Sequence, residues 1–205
     1  MSFSFLLRPA AISAALLSAV LIASCSPSTS EPQSAAASET TPASPAQSAG
    51  PNSVDEVVSA FKTALETKDY TAMLSLSMPD AVIAQIKQDA GLTTATTKQL
   101  RDQFAAAAAQ TFQQATLLDV TIDAANAQVQ TSGTGRQYAL VPSSTLMEIQ
   151  GERARSTNNY LAISEKGRWY LLNPSNAQVI TVIKTVFPDL AEVALTEPHM
   201  EVISQ

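Results

Sequence analysis

Hydrophobic residues follow a helical period in the first part of the chain after residue 53 and a strand period in the later part. A first helix is predicted after Ser53 and Glu56, which form a capping-box pattern. Its apolar stripe consists of Val54, Val57, Val58, Phe61 and Leu65. Three more helices are predicted over residues 69–76, from Pro79 to a stop at Gly91, and over residues 96–115.

Alternation of apolar and polar residues takes over from residue 118. Leu118, Val120 and Ile122 alternate with Asp119, Thr121 and Asp123, so the two aspartates are expected on one face of a strand. Further strands are predicted over residues 127–130, 137–149, 153–164 and 168–172, with a bulge or bend at Pro142. Gly151, residues 133–136 and residues 165–167 are predicted as turns.

One more helix is predicted near the C-terminus. It begins near Ser175, which forms a second capping-box pattern with Gln178, and it ends at Pro188. The residues after Leu195 show no clear pattern. Helices followed by strands with short connections predict an α+β domain over residues 54–205 with an antiparallel sheet.

The hairpin from Tyr160 to Leu172, with its Gly167-Arg168-Trp169 turn, resembles the final hairpin of the nuclear transport factor two-like (cystatin-like) superfamily. The resemblance implies N-terminal helices packed on a curved antiparallel sheet, here with one C-terminal helix added. Enzymes of that superfamily use His, Asp, Tyr or Trp in a cone-shaped pocket. A fold does not by itself determine a function.

The start of the chain has the organisation of an export signal. One positive side chain, Arg8, precedes a run of small and apolar residues from Ala10 to Ala23. As a helix this run would be about 21 Å long, whereas a membrane core is about 30 Å thick. Residues 1–24 are therefore predicted to be a signal peptide. An ordinary secretory signal and an uncleaved anchor helix are the alternatives.

The sequence Ile22-Ala23-Ser24-Cys25 is similar to the lipobox of bacterial lipoproteins, and Cys25 is the only cysteine. The resemblance implies that the Cys25 thiol takes a diacylglycerol and that the chain is cut before Cys25. An acyl chain such as palmitate would then modify the new amine. The expected location is the cell envelope, and in a Gram-negative cell Ser26 favours the periplasmic face of the outer membrane.

The segment from Cys25 to residue 53 is predicted to be a disordered tether. After Cys25 it contains five prolines, eight serines and six alanines, and no large apolar residue. Such a segment would span about 30 Å as a coil and about 90 Å when extended. It would hold the folded domain away from a membrane.

Charge and residue types limit the candidate chemistry. The formal net charge of −6 disfavours nucleic acid and anionic membrane surfaces as partners. The one histidine, His199, is expected to be solvated in the tail, and no metal site or cofactor is predicted. Asp119 and Asp123 are a weak candidate acid–base pair. Residues 133–136 lack the pattern of a nucleotide-binding loop.

Basic and aromatic residues supply the candidate ligand site. Arg153 and Arg155 are two apart on one predicted strand and so project to one face. With Arg136, and also Arg168, they could bind a carboxylate or a phosphate. The aromatic residues Tyr138, Tyr160, Trp169 and Tyr170 could line a pocket or belong to the core, and Tyr160 and Tyr170 are possible cross-strand neighbours.

These features favour a lipid-anchored envelope protein that binds an envelope protein or a small ligand and is not an enzyme. Two alternatives remain open. One is an enzyme of the hydrolase or isomerase kind that uses a cone-shaped pocket, and the other is a carrier of an apolar ligand, which would need a cavity of several hundred Å³.

Overall fold

The computed structural model describes residues 50–92 and 94–203. The predicted signal peptide, Cys25 and the tether up to residue 49 lie outside the described residues. No helix in the described part of the chain is long and apolar enough to cross a membrane. The elements are α1 (Val54–Glu66), α2 (Tyr70–Ser77), α3 (Asp80–Asp89), α4 (Thr97–Gln113), β1 (Ala115–Ile122), β2 (Gln130–Thr131), β3 (Gln137–Ile149), β4 (Glu152–Glu165), β5 (Arg168–Leu172), α5 (Ala177–Val186), a 3₁₀ turn (Pro188–Leu190) and β6 (His199–Ile203).

This order confirms the predicted α+β class. The sheet is antiparallel, and its main strand order is β1-β3-β4-β5, with β2 also paired to β3 and β6 to β4. Two-residue turns join β3 to β4 and β4 to β5, with positive φ at Gln150, Gly151, Lys166 and Gly167. Positive φ at both turn residues matches the right-handed twist of the flanking strands, which explains these tight hairpins.

Helix starts follow the expected capping chemistry. The Ser53 hydroxyl accepts a hydrogen bond from the Glu56 backbone N–H at 3.1 Å, and the Glu56 carboxylate accepts one from the Asn52 N–H. Thr96 and Gln99 form a reciprocal capping box at α4. These side chains satisfy backbone donors that have no partner within the helix.

The predicted strand is present as part of β1, with Val120 and Ile122 facing inward, but the predicted facing of Leu118 is wrong. The pairing of β1 with β3 shifts register between Leu117 and Asp119, so Leu118 is an extra residue in a β-bulge and is 41% exposed. Leu117 therefore takes the inward position that the alternation gave to Leu118. Asp123 lies beyond the end of β1, where its carboxylate accepts from the Asn126 N–H, so the two aspartates do not share a strand.

Pro142 makes no bulge. The register of β3 with β4 is regular through the Pro142–Asn159 pair. The Pro142 carbonyl accepts from the Asp123 N–H just past the end of β1, so the missing proline donor faces the place where that neighbouring strand stops. Of residues 127–130, only Gln130 is in a strand, and Val129 is 50% exposed.

Two cores lie on opposite faces of the sheet. On one face, α1, α2 and α4 cover Ala139, Val141, Ala162, Trp169 and Leu171. On the other face, α5 and the 3₁₀ turn cover Leu161, Ile163 and Leu172, and Val82 of α3 also joins this core. At the other end of β4, neither face has a fully buried residue. The helices thus cover one end of the long strands, and the candidate site lies where this cover ends.

The C-terminal helix starts one residue later than predicted. Its N-cap is Asn176, whose side-chain oxygen accepts from the Val179 N–H at 2.9 Å. The Ser175–Gln178 capping box is therefore wrong. Ser175 precedes the cap, and its own N–H donates to the Asn173 carbonyl.

We expect Asn176→Ala to lower the free energy of unfolding by about 1 kcal/mol, because the Val179 N–H would lose its acceptor. Ser175→Ala, one residue away, should change it by less than ~0.5 kcal/mol. Urea unfolding of both variants measures the two values. Equal losses would show that the cap is not at Asn176.

Candidate functional site

The candidate site begins at a break in strand pairing along β4. On one side, residues 161–165 of β4 pair with β5 and residues 153–157 of β4 pair with β6. Residues 158–160 lie between these two ladders and have no described strand partner on that side. Asn173 follows the end of β5 and Pro198 precedes β6, so both border the break.

A groove lies at this break, on the face of the sheet that carries α1 and α4. Its apolar walls come from the helices, from β1 and β3, and from the loop before β6. These residues are Leu65, Phe112, Leu117, Val120, Met147 and Pro198. The bulge at Leu118 places both Leu117 and Val120 on this wall.

Polar groups without charge make up the rest of the lining. They are Ser143, Thr145, Ser156, Asn158, Tyr160 and Asn173. The Ser143 hydroxyl donates to the Asn158 carbonyl at 3.0 Å, and the Asn158 side-chain N–H donates to the Asn173 side-chain oxygen at 2.6 Å. The side-chain oxygen of Asn158 is buried and has no hydrogen-bond partner in the described structure. A buried acceptor without a donor is costly, so Asn158 is a polar lining residue whose hydrogen bonding is incomplete.

Tyr160 joins the groove to the core. Its ring contacts Phe61 edge-on, with the ring centroids 5.7 Å apart. Burial raises the pKa of Tyr160 to about 12. The hydroxyl therefore stays protonated at neutral pH and can donate a hydrogen bond, but it is a poor candidate for a general base.

The groove measures about 150 Å³. Small-molecule sites usually measure about 300–1,000 Å³, whereas a 150 Å³ cavity can hold a group the size of benzene. None of the described lining residues is charged or a histidine. In the described part of the chain, no three His, Cys, Asp or Glu side chains are grouped closely enough to hold a metal ion. The groove therefore suits one uncharged group of about the size of a side chain.

The structure does not bring the predicted arginines together. Arg153 and Arg155 project from the uncovered end of β4, on the face opposite to the groove, and Arg153 lies 3.6 Å from the Glu148 carboxylate. Arg136 donates to Asp189 at 3.1 Å and lies over the Phe187 ring near Ser164. Ser164 is nine residues along β4 from Arg155, or about 30 Å. Ligand binding by Arg153, Arg155 and Arg136 stays a prediction without a common site.

Arg168 makes contacts that differ from those of Arg136, Arg153 and Arg155. It donates to the Ser75 carbonyl at 3.1 Å and its guanidinium lies over the Tyr170 ring. Gly50 packs directly on its side chain. The Pro51 carbonyl accepts from the Trp169 N–H at 2.8 Å, so the chain is attached to β5 before α1 begins.

Other candidate residues lie in positions that differ from the predicted ones. His199 is in β6 and not in a patternless tail, and its side chain is exposed. Tyr160 lies opposite Val141, whereas Tyr170 lies opposite Ile163, so these two tyrosines are on opposite faces and are not neighbours. Trp169 is buried in the core and Tyr138 donates to Gln130 at 2.8 Å. Of the four aromatic residues, Tyr160 alone lines the groove.

Sequence reasoning missed the groove, because its lining comes from five helices and strands and from two loops. Ser156, Asn158 and Tyr160 are two residues apart along β4 and therefore share one face. This was a usable signal, because the same face of β4 is part of the hydrophobic core further along the strand, at Ala162.

No protein-family model, curated protein or solved structure matches the chain. We therefore base the proposed function on the groove and on the N-terminal sequence.

Proposed function

We propose that the protein is a lipid-anchored binding protein of the cell envelope and that it acts without catalysis. Cys25 carries the lipid, the segment up to residue 49 serves as the tether, and the domain binds a small ligand or an envelope protein. The lipobox-like sequence at Ile22–Cys25 supports the anchor. In a Gram-negative cell the lipid would anchor the protein to the periplasmic face of the outer membrane.

The observation that carries the binding role is the groove, with apolar walls, an uncharged polar lining and the unpaired Asn158 oxygen. An apolar group would gain from the walls, and an N–H or O–H donor on it would meet the uncharged polar groups of the lining. A charged group would lose hydration without an ionic partner in the lining. We therefore assign the groove to a neutral, partly apolar group of a small ligand or of a partner protein.

The anchor is tested by the intact mass of the protein extracted from membranes, beside a Cys25→Ser variant. The expected mass begins at Cys25 and includes the lipid, and the variant lacks the lipid. An unmodified product cut at another residue would refute the anchor.

The groove is tested by photo-crosslinking in cells, with a photoreactive residue placed at position 147 or at position 146. Met147 lines the groove, whereas its neighbour Leu146 faces the opposite side of β3 next to Arg155. A defined adduct is expected from position 147 and not from position 146. Equal labelling from both positions, or labelling from 146 alone, would refute the groove as the binding site.

A further inference from the structure

The open edge of the sheet is β6. In the described structure it pairs with β4 alone, in a regular register from Arg153–Ile203 to Thr157–His199. One row of its backbone N–H and C=O groups therefore has no strand partner. Met200 is 51% exposed and Val202 is 69% exposed, and both lie on the groove side of the sheet because they pair with Ser156 and Ala154.

The other edges of the sheet are protected. β1 carries the bulge at Leu118 and a charged residue beside it, Asp119. β5 is covered at Trp169 by the Pro51 carbonyl, and β2 has two residues. Bulges, charges, covering segments and short strands are the usual means of preventing strand addition. β6 contains no lysine, proline or bulge, and the charge of Glu201 is the one protective feature within it.

We propose that β6 is a docking edge for an extended segment of another protein, in which apolar and basic side chains alternate. Such a segment would extend the sheet by one strand, with backbone hydrogen bonds supplying affinity and alternate side chains supplying specificity. Its apolar side chains would lie next to Met200 and Val202 on the groove side. On the opposite face of the sheet, a basic side chain would lie next to Glu201. Arg155 of β4 is already the cross-strand neighbour of Glu201 on this face.

The charge of Glu201 distinguishes this partner from a second copy of the chain. An antiparallel pair of two β6 strands that used all five residues would place Glu201 opposite Glu201. Like charges directly opposite each other destabilise a sheet, whereas opposite charges stabilise it. The negative net charge of the chain also favours a basic partner.

The test uses the full-length protein in detergent with two short peptides, one alternating valine with lysine and one alternating valine with glutamate. We expect the lysine peptide to bind about fivefold more tightly or better, since cross-strand charge pairs have effects of this order. Amide hydrogen exchange should slow at residues 199–203 when it binds. Glu201→Lys should remove or reverse the preference.

Glu192→Lys is the matched control, because it makes the same change in net charge at an exposed residue outside β6. It should leave the preference for the lysine peptide nearly unchanged. Equal effects of the two variants would mean attraction by net charge alone, and protection away from residues 199–203 would place the peptide elsewhere. Self-association that the neutral variant Glu201→Gln strengthens would identify a second copy as the occupant. Any of these three outcomes, or no binding of either peptide, would overturn the proposal. The tests of Cys25 lipidation and of labelling from position 147 are independent of it.

Discussion

Phe187→Ala is expected to lower the free energy of unfolding by about 4 kcal/mol, the largest loss that we predict for a single side chain. Phe187 is 1% exposed and follows α5, where it packs in the core made by Leu161, Ile163 and Leu172. The Arg136 guanidinium lies over its ring, 4.7 Å from the centroid. Removal of the ring leaves a cavity and also takes away this cation–π contact.

Urea unfolding of the purified protein measures this loss. Phe112→Ala is the matched control, because Phe112 is half-buried at the groove and is stacked on Tyr70 with the centroids 5.4 Å apart. It should cost clearly less, about 2 kcal/mol. Equal losses at the two positions, or a loss below about 1 kcal/mol for Phe187→Ala, would mean that the second core does not support the domain.

The two cores explain why short-range signals in the sequence predicted so much of the fold. Lys166-Gly167 specifies a tight turn, and the strands on each side of it alternate between the two faces of the sheet. The same holds for the start of α1, where Ser53 and the apolar stripe lie within a few turns of each other. Signals of this kind depend on neighbours in the sequence and need no knowledge of distant residues.

Where the prediction failed, distant residues decide the structure. β6 lies alone beyond Leu195, and it becomes a strand because it pairs with Arg153–Thr157, more than 40 residues earlier. Leu117 and Leu118 are adjacent, so the sequence allows either of them to be the inward residue. The pairing of β1 with β3 selects Leu117 and leaves Leu118 in the bulge. Sequence alternation cannot supply the missing register.

The candidate site was beyond sequence reasoning for the same reason. The arginines were grouped because they lie on predicted strands, but Arg136 and Arg155 are at different ends of β4. The groove instead combines uncharged residues that have no motif. The buried Asn158 oxygen becomes visible as a candidate only when the break between β5 and β6 is known.

Asp189 provides the second large effect, because one carboxylate oxygen fastens the 3₁₀ turn to the loop between β2 and β3. It accepts from Ser132 at 2.8 Å, from Thr134 at 3.0 Å and from Arg136 at 3.1 Å. The side chain is 7% exposed and that of Arg136 is 23% exposed. Asp189→Ala should therefore lower the free energy of unfolding by about 3 kcal/mol, since it leaves a largely buried guanidinium without its carboxylate.

The pH dependence separates the charge from the hydrogen bonds. Burial raises the pKa of the Asp189 carboxyl, but the hydrogen bonds from Ser132 and Thr134 and the charge of Arg136 outweigh this, so the pKa is lowered. A lowered pKa means that the stabilisation is complete above about pH 4 and is lost as the pH falls through the folded-state pKa. The stability difference between wild type and Asp189→Asn should therefore shrink between about pH 5 and about pH 2.

Asp102→Asn is the control for this effect, because Asp102 pairs with Lys98 on the exposed face of α4. Its cost should be below about 0.5 kcal/mol at neutral pH, as is usual for surface pairs at this helical spacing. If Asp189→Ala costs no more than Asp102→Asn, or if the Asp189→Asn difference grows as the pH falls, the carboxylate does not hold the 3₁₀ turn in this way. The first outcome would remove the energetic role of Asp189, and the second would give its titration the opposite sign.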